Sequence, residues 1–367
     1  MPQVEVWERV LVDSDFASTT HGVLGCRGCH GGADGLNEKA AAHVGMVIDP
    51  SGDGATVCAD CHSDIVAKFP TSLHATQNGY FTAYEARAGA SIDQARYSEM
   101  FTAACASCHG TCGQCHVSRP SSVRGGLLSG HQFYKTPSQT ENCTACHGSR
   151  IGDEFRGKHA GIPEDVHWRS GMNCMACHDD VELHGDGTTP DHRFANDAGP
   201  SCTNCHADAE SDSSDISSHR THGGKVACQA CHSLQYKNCY SCHVELDDQG
   251  LRFPSELAFR IGRNPNPTED RPYNYVVVRH VPIAADSFEP WGLALDDYAQ
   301  EPTWRLATPH NIQRTTPQTE SCDACHGSLD LFLSPAYLDE LVSRGLMTQE
   351  EIQANSAVVV ETPPDMN

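Results

Sequence analysis

Two copies of C-x-x-C-H stand almost back to back in CASCHGTCGQCH, Cys105 to His116, with only Gly110 and Thr111 between them. Two thiols three positions apart, followed at once by an imidazole, could bind a soft metal, cycle as a redox dithiol, or add to the two vinyl groups of one haem while the histidine reaches the iron. The same signature opens at Cys26, Cys58, Cys105, Cys112, Cys143, Cys174, Cys202, Cys228, Cys239 and Cys322. With Cys29, Cys61, Cys108, Cys115, Cys146, Cys177, Cys205, Cys231, Cys242 and Cys325 as second thiols, the motifs consume all 20 cysteines and leave none for a disulfide or a nucleophile. Zinc half-sites, dithiols and disulfide frameworks do not require a histidine after every second cysteine. The pattern therefore selects ten covalently bound haem c groups, with His30, His62, His109, His116, His147, His178, His206, His232, His243 and His326 as proximal iron ligands. Two groups attached within Cys105 to His116 must lie nearly in contact, because chain spans at most about 3.6 Å per residue.

The composition agrees with a core that is not made of side chains. Only 38% of the 367 residues are hydrophobic, cysteines included, which is low for a domain that must bury its own apolar core. The expected fold is mostly irregular, with short α-helices, very little β, and macrocycles as the surface against which each segment buries itself. A net charge of −23, made more negative by propionates, disfavours nucleic acid and anionic membranes as partners and favours cationic patches. MPQVEVWERV has no apolar h-region and no run is long enough to cross a membrane, so the sequence reads as a mature chain without a transmembrane segment.

The motif set, from residue 26 to residue 326, resembles the multihaem c-type cytochromes. That resemblance implies export to the periplasm or the cell exterior, where haem c is attached, and electron exchange with other redox proteins or extracellular acceptors. The string EDVHWRSGMNCMACHDDVELHGDG is similar to segments of large respiratory multihaem cytochromes whose flanking histidines are distal ligands, which implies that role for His167 and His184. Three functions are open. The first is an electron conduit. The second is a redox enzyme similar to the octahaem tetrathionate reductases and hydroxylamine oxidoreductases, in which one iron keeps an open face; the absence of C-x-x-C-K weighs against it. The third is a homo-oligomer resembling the filament-forming outer-surface cytochromes.

Of 22 histidines, ten lie in motifs and twelve remain for ten distal positions. Every iron can therefore be bis-histidine, with His21, His43, His74, His131, His167, His184, His192, His222, His280 and His310 as distal ligands and His159 and His219 to spare. Met46, Met100, Met172 and Met175 are the rival ligands. The surplus histidines, and the edge-like segments VEVWERV and VVVE, are what suggest self-association.

The elements that must position these residues are modest. A strand is expected near 4–12, a helix near 82–104, and a strand and turn in RPYNYVVVRHVPIAADSFEPW. Ser334 and Pro335 read as the start of a helix, TQEE at 348–351 as a capping box, and VVVE with TPPDMN as a dangling tail. The chain divides into an N-terminal haem module (1–130, four motifs), a central one (131–243, five motifs), a cysteine-free, proline-rich wrapping segment (244–321) that supplies His280 and His310, and the tenth motif with its tail (322–367).

Overall fold

The computed structural model describes residues 11–52, 54–106, 110–196, 198–234, 259–281, 283–362 and 364. Cys108 and His109 of the third motif and the whole ninth motif, Cys239 to His243, lie outside the described residues, as do residues 4–10 of the expected first strand; Leu11 and Val12 carry no strand. The longest helices described, Asn78–Ala88 and Gln94–Ala104, have 11 residues each, and the sheet has three strands. The fold is thus mostly irregular, with short helices and little β.

Two compact units form, one from Met1–Phe81, Met100–Gly148 and Cys174–Gly199, the other from Thr82–Glu99, Ser149–Asn173 and Pro200–Asn367. In the first, large apolar side chains stand out around the first motif: Val23 is 72% exposed, Val44 70% and Ile48 85%. The second has a protein core. Strands β1 (Phe259–Arg263), β2 (Tyr275–His280) and β3 (Trp304–Leu306) pair antiparallel in that order, with Ile261 opposite Val277 and Val278 opposite Leu306. The β-branched run Val276–Val277–Val278 favours extended chain, and all three side chains are buried. Ala230, Ile261, Val277, Ala307, Phe332 and Val360 form one cluster, against which Cys325 of the tenth motif packs.

Three expectations need correction. The helix near 82–104 is two helices, because Gly89 turns the chain with φ +53° and Asp93 starts the next helix by accepting the Arg96 N–H at 3.0 Å. The cysteine-free segment does not simply wrap, since its valine and tryptophan side chains make the sheet and much of the core. The C-terminal tail does not dangle: Val358 and Val360 are each 1% exposed, and the Val360 N–H donates to the Leu333 carbonyl at 2.9 Å. Gly262 permits this close approach, since a Cβ there would sit 2.8 Å from the Val358 oxygen. VVVE is therefore not an open edge for a neighbouring subunit.

The helix starts behave as their sequences dictate. The Ser334 hydroxyl accepts the Tyr337 N–H with Pro335 at the first helical position of Pro335–Ser343, and Thr348 and Glu351 complete a reciprocal capping box at Gln349–Ala354. Leu338, 0% exposed, anchors the first of these helices on the core. Leu338→Ala should cost about 2–5 kcal/mol by removing buried methyl groups from a site that cannot fully collapse; chemical denaturation followed by tryptophan fluorescence will measure it.

Candidate haem sites

One turn of helix accounts for the local form of the motifs. Gly25–His30, Cys112–His116, Thr144–His147, Cys228–His232 and Asp323–His326 are short helices, and Cys174–Ala176 and Cys202–Asn204 are 3₁₀ turns. Helical spacing puts the first and second cysteines on one face, and each histidine follows on the same turn. The Nδ1 of His30 donates to the Val47 carbonyl at 2.7 Å, that of His116 to Tyr134 at 2.6 Å, that of His232 to Gln313 at 3.0 Å and that of His326 to Pro364 at 2.8 Å. A carbonyl only accepts, so in these rings Nδ1 carries the proton and Nε2 keeps its lone pair. The His178 Nδ1 instead meets the Glu182 carboxylate at 2.7 Å. The 17 described cysteines are free of disulfides.

Among the described residues seven motif histidines have a second imidazole ring facing them, and each of these rings comes from outside the motifs. His30 faces His131 at 5.8 Å between ring centres, His62 faces His21 at 6.3 Å, His116 faces His184 at 6.2 Å and His147 faces His74 at 6.2 Å. These four pairs lie in the first unit. In the second, His206 faces His167 at 6.1 Å, His232 faces His219 at 6.0 Å and His326 faces His222 at 5.9 Å. An iron held between two ring nitrogens, at about 2 Å from each and with roughly 1.1 Å from nitrogen to ring centre, sets the centres about 6.2 Å apart. The seven pairs thus fit a six-coordinate haem iron.

Each partner ring is set in place by identifiable local chemistry. The Asp13 N–H donates to the Gly130 carbonyl at 2.9 Å, laying residues 13–22 against 130–133. Phe133 then stacks on His21 at 4.0 Å, and Phe16 packs on His131 at 4.7 Å. His131 itself has φ +74°, a left-handed conformation that costs a non-glycine residue energy and here directs the ring. Ser72 caps Leu73–Thr76, which carries His74; Asp179 caps Asp180–His184, which ends on His184. Buried Asn142 donates to the Gln114 and Ser118 carbonyls at 2.7 and 2.9 Å, tying the fourth motif to the fifth. Burial pushes His21, His74 and His184 below the usual imidazole range, and His62 and His116 lower His21 and His184 further. Neutral rings are the ones that can offer a lone pair to a metal.

The helix Ser217–His222 carries both His219 and His222, three residues apart, and presents each to a different motif histidine. His219, a spare by the count of histidines, thus faces a motif histidine just as His222 does; the i, i+3 spacing on a short helix is the signal that points to it. The other spare, His159, has a buried Nε2 without a hydrogen bond. His43 donates from Nδ1 to the Lys39 carbonyl at 2.5 Å. His192 accepts the Phe194 N–H on Nδ1 at 3.2 Å. The backbone N–H of His310 donates to Glu154, a 1% exposed carboxylate, at 2.8 Å, and its Nδ1 to the Thr308 carbonyl at 2.9 Å. His280 packs on Trp304 at 5.6 Å, and burial with Arg87 and Arg279 beside it pushes the imidazole down to about 4.

Consecutive motifs also meet. The Cys143 side chain lies beside that of Cys174, and that of Cys202 beside that of Cys228. Burial pushes the Cys115 and Cys231 thiols up to about 11. No helix among the described residues is long and apolar enough to cross a membrane.

No protein-family model matches this chain, and no solved structure matches it. Over 132 residues it is 28% identical to the multiheme cytochrome MtrA of Shewanella baltica (strain OS185), a match that covers 30% of this chain and 39% of that relative. The ten C-x-x-C-H motifs and this likeness together support a multihaem c-type cytochrome.

Proposed function

We propose that the chain is a decahaem c-type cytochrome, exported to the periplasm or the cell exterior, that carries electrons between other redox proteins or extracellular acceptors. The observation that carries this reading is the pairing rule: each of the seven facing pairs joins one motif histidine to one histidine from elsewhere, at the separation a bis-histidine iron needs. On it, His131, His21, His184, His74, His167, His219 and His222 are the distal ligands opposite His30, His62, His116, His147, His206, His232 and His326. Haem c, when bound, supplies a one-electron Fe(III)/Fe(II) couple. The two cysteines of a motif would hold it by thioethers and the facing rings would offer it imidazole nitrogen, the tautomer of His30, His116, His232 and His326 being fixed through Nδ1. At the seven paired sites a histidine on each side would leave the iron no face for substrate, which favours a carrier over an enzyme. Cysteines of the fifth and sixth motifs, and of the seventh and eighth, lie side by side, which supports haems close enough to hand electrons on.

Purified holoprotein should be low-spin and six-coordinate by electron paramagnetic resonance, with no turnover of nitrite, hydroxylamine or tetrathionate. One full high-spin equivalent together with enzymic turnover of any of the three would replace the carrier with an enzyme.

A further inference from the structure

In five of the facing rings, His30, His116, His232, His326 and His222, the Nδ1 nitrogen donates to a backbone carbonyl, that of Ser218 for His222 at 2.9 Å. Two described histidines meet a carboxylate instead: His167 of a facing pair, and His178, a motif histidine outside those seven pairs. The His167 Nδ1 donates to Asp165 Oδ1 at 2.9 Å, and the His178 Nδ1 to Glu182 Oε2 at 2.7 Å. Neither contact is an accident of a loose surface. Asp165 is 2% exposed, and its carboxylate also accepts the His167 N–H at 2.7 Å and the Ile312 N–H at 2.7 Å, so it is fixed by three donors. Glu182 sits four residues after His178, on the helix that Asp179 caps, with its side chain 19% exposed.

A carboxylate is a stronger acceptor than an amide carbonyl, because the bond is charge-assisted and strengthens in a poorly solvated site. It draws the Nδ1 proton outward, leaves more electron density on Nε2, and makes the imidazole a more basic ligand. A more basic ligand beside a fixed negative charge stabilises ferric over ferrous iron. We propose that Asp165 and Glu182 are positioning residues that set the His167–His206 site and the His178 site at the low-potential end of the range, one in each compact unit. The proposal rests on the bis-histidine reading above and adds to it an ordering of sites that ligand identity alone does not give.

Spectropotentiometric titration of the fully loaded holoprotein tests it, with Asp165→Asn, Glu182→Gln and His167→Ala compared with the parent. In each carboxylate variant the low-potential end of the titration should move to higher potential while the remaining curve superimposes and the iron stays low-spin. A purely structural contact would loosen the fold without moving the potential of a low-spin site. A loaded, low-spin carboxylate variant whose curve superimposes on the parent overturns the assignment for that residue. His167→Ala separates the two ideas: one high-spin equivalent upholds the ligand reading whatever the carboxylates do, and an unchanged low-spin count means that reading itself fails at this site. Should Asp165→Asn fail to load, Glu182→Gln decides, since its carboxylate lies nearer solvent and its helix is capped by a different residue.

Discussion

His219→Ala is expected to convert one iron site of the ten from low-spin to high-spin, and His222→Ala a different one. The two rings leave the same short helix but face His232 and His326 respectively, at 6.0 and 5.9 Å. Removing either imidazole withdraws the sixth ligand from one site, and alanine has nothing with which to replace it. Because the two motif histidines belong to separate sites, the effects should add, so the double variant gives two high-spin equivalents. Electron paramagnetic resonance of the ferric protein counts them directly, and exogenous imidazole should restore the low-spin signal. A full low-spin count in His219→Ala would show that this ring is packing and not ligation. The Cys228 and Cys322 attachments should persist in both variants, since covalent bonding uses the thiols and not the distal ring.

Intact-mass measurement of the exported protein is expected to show ten haem additions and no thiol that alkylates after denaturation. The closed arithmetic of 20 cysteines in ten motifs is the ground for this, and the absence of disulfides among the 17 described cysteines agrees with it. Changing both Cys322 and Cys325 to serine should lower the count to nine. The loss should also destabilise the second unit, because Cys325 packs on the cluster built from Ile261, Val277, Phe332 and Val360. Fewer than ten additions in the parent, with matching free thiols, would mean that some motifs do other chemistry.

The two units differ in how much apolar surface the protein itself buries, so the second should be the more stable of the two before haem is attached. The second unit owns a sheet, buried valines and two capped helices, so part of it has a reason to fold before any haem arrives. The first unit leaves Val23, Val44 and Ile48 largely exposed beside its first motif, and its segments gain burial chiefly against whatever that motif binds.

The sequence by itself determined the motifs and the helix caps, which depend on neighbours within one helical turn. Two thiols at i and i+3 and an imidazole at i+4 are a local pattern, so the ten C-x-x-C-H motifs and the mostly irregular fold were legible without coordinates. Ser334, Thr348 and Glu351 were legible for the same reason, because a cap satisfies N–H groups only three residues away. The choice of opposing rings was not. His219 reaches back over 13 residues (232 − 219) to His232, while His222, on the same helix, reaches 104 residues (326 − 222) to His326. His21 stands five residues before Cys26, yet it faces His62 of the next motif and not His30. A histidine count measures supply, but a ligand pair needs two rings about 6 Å apart, and that separation is set by long-range contacts such as Asp13 to Gly130 and by backbone conformations such as the left-handed turn at His131. Asp165 belongs to both levels: its spacing from His167 is local, but that His167 stands opposite His206 follows only from the tertiary structure.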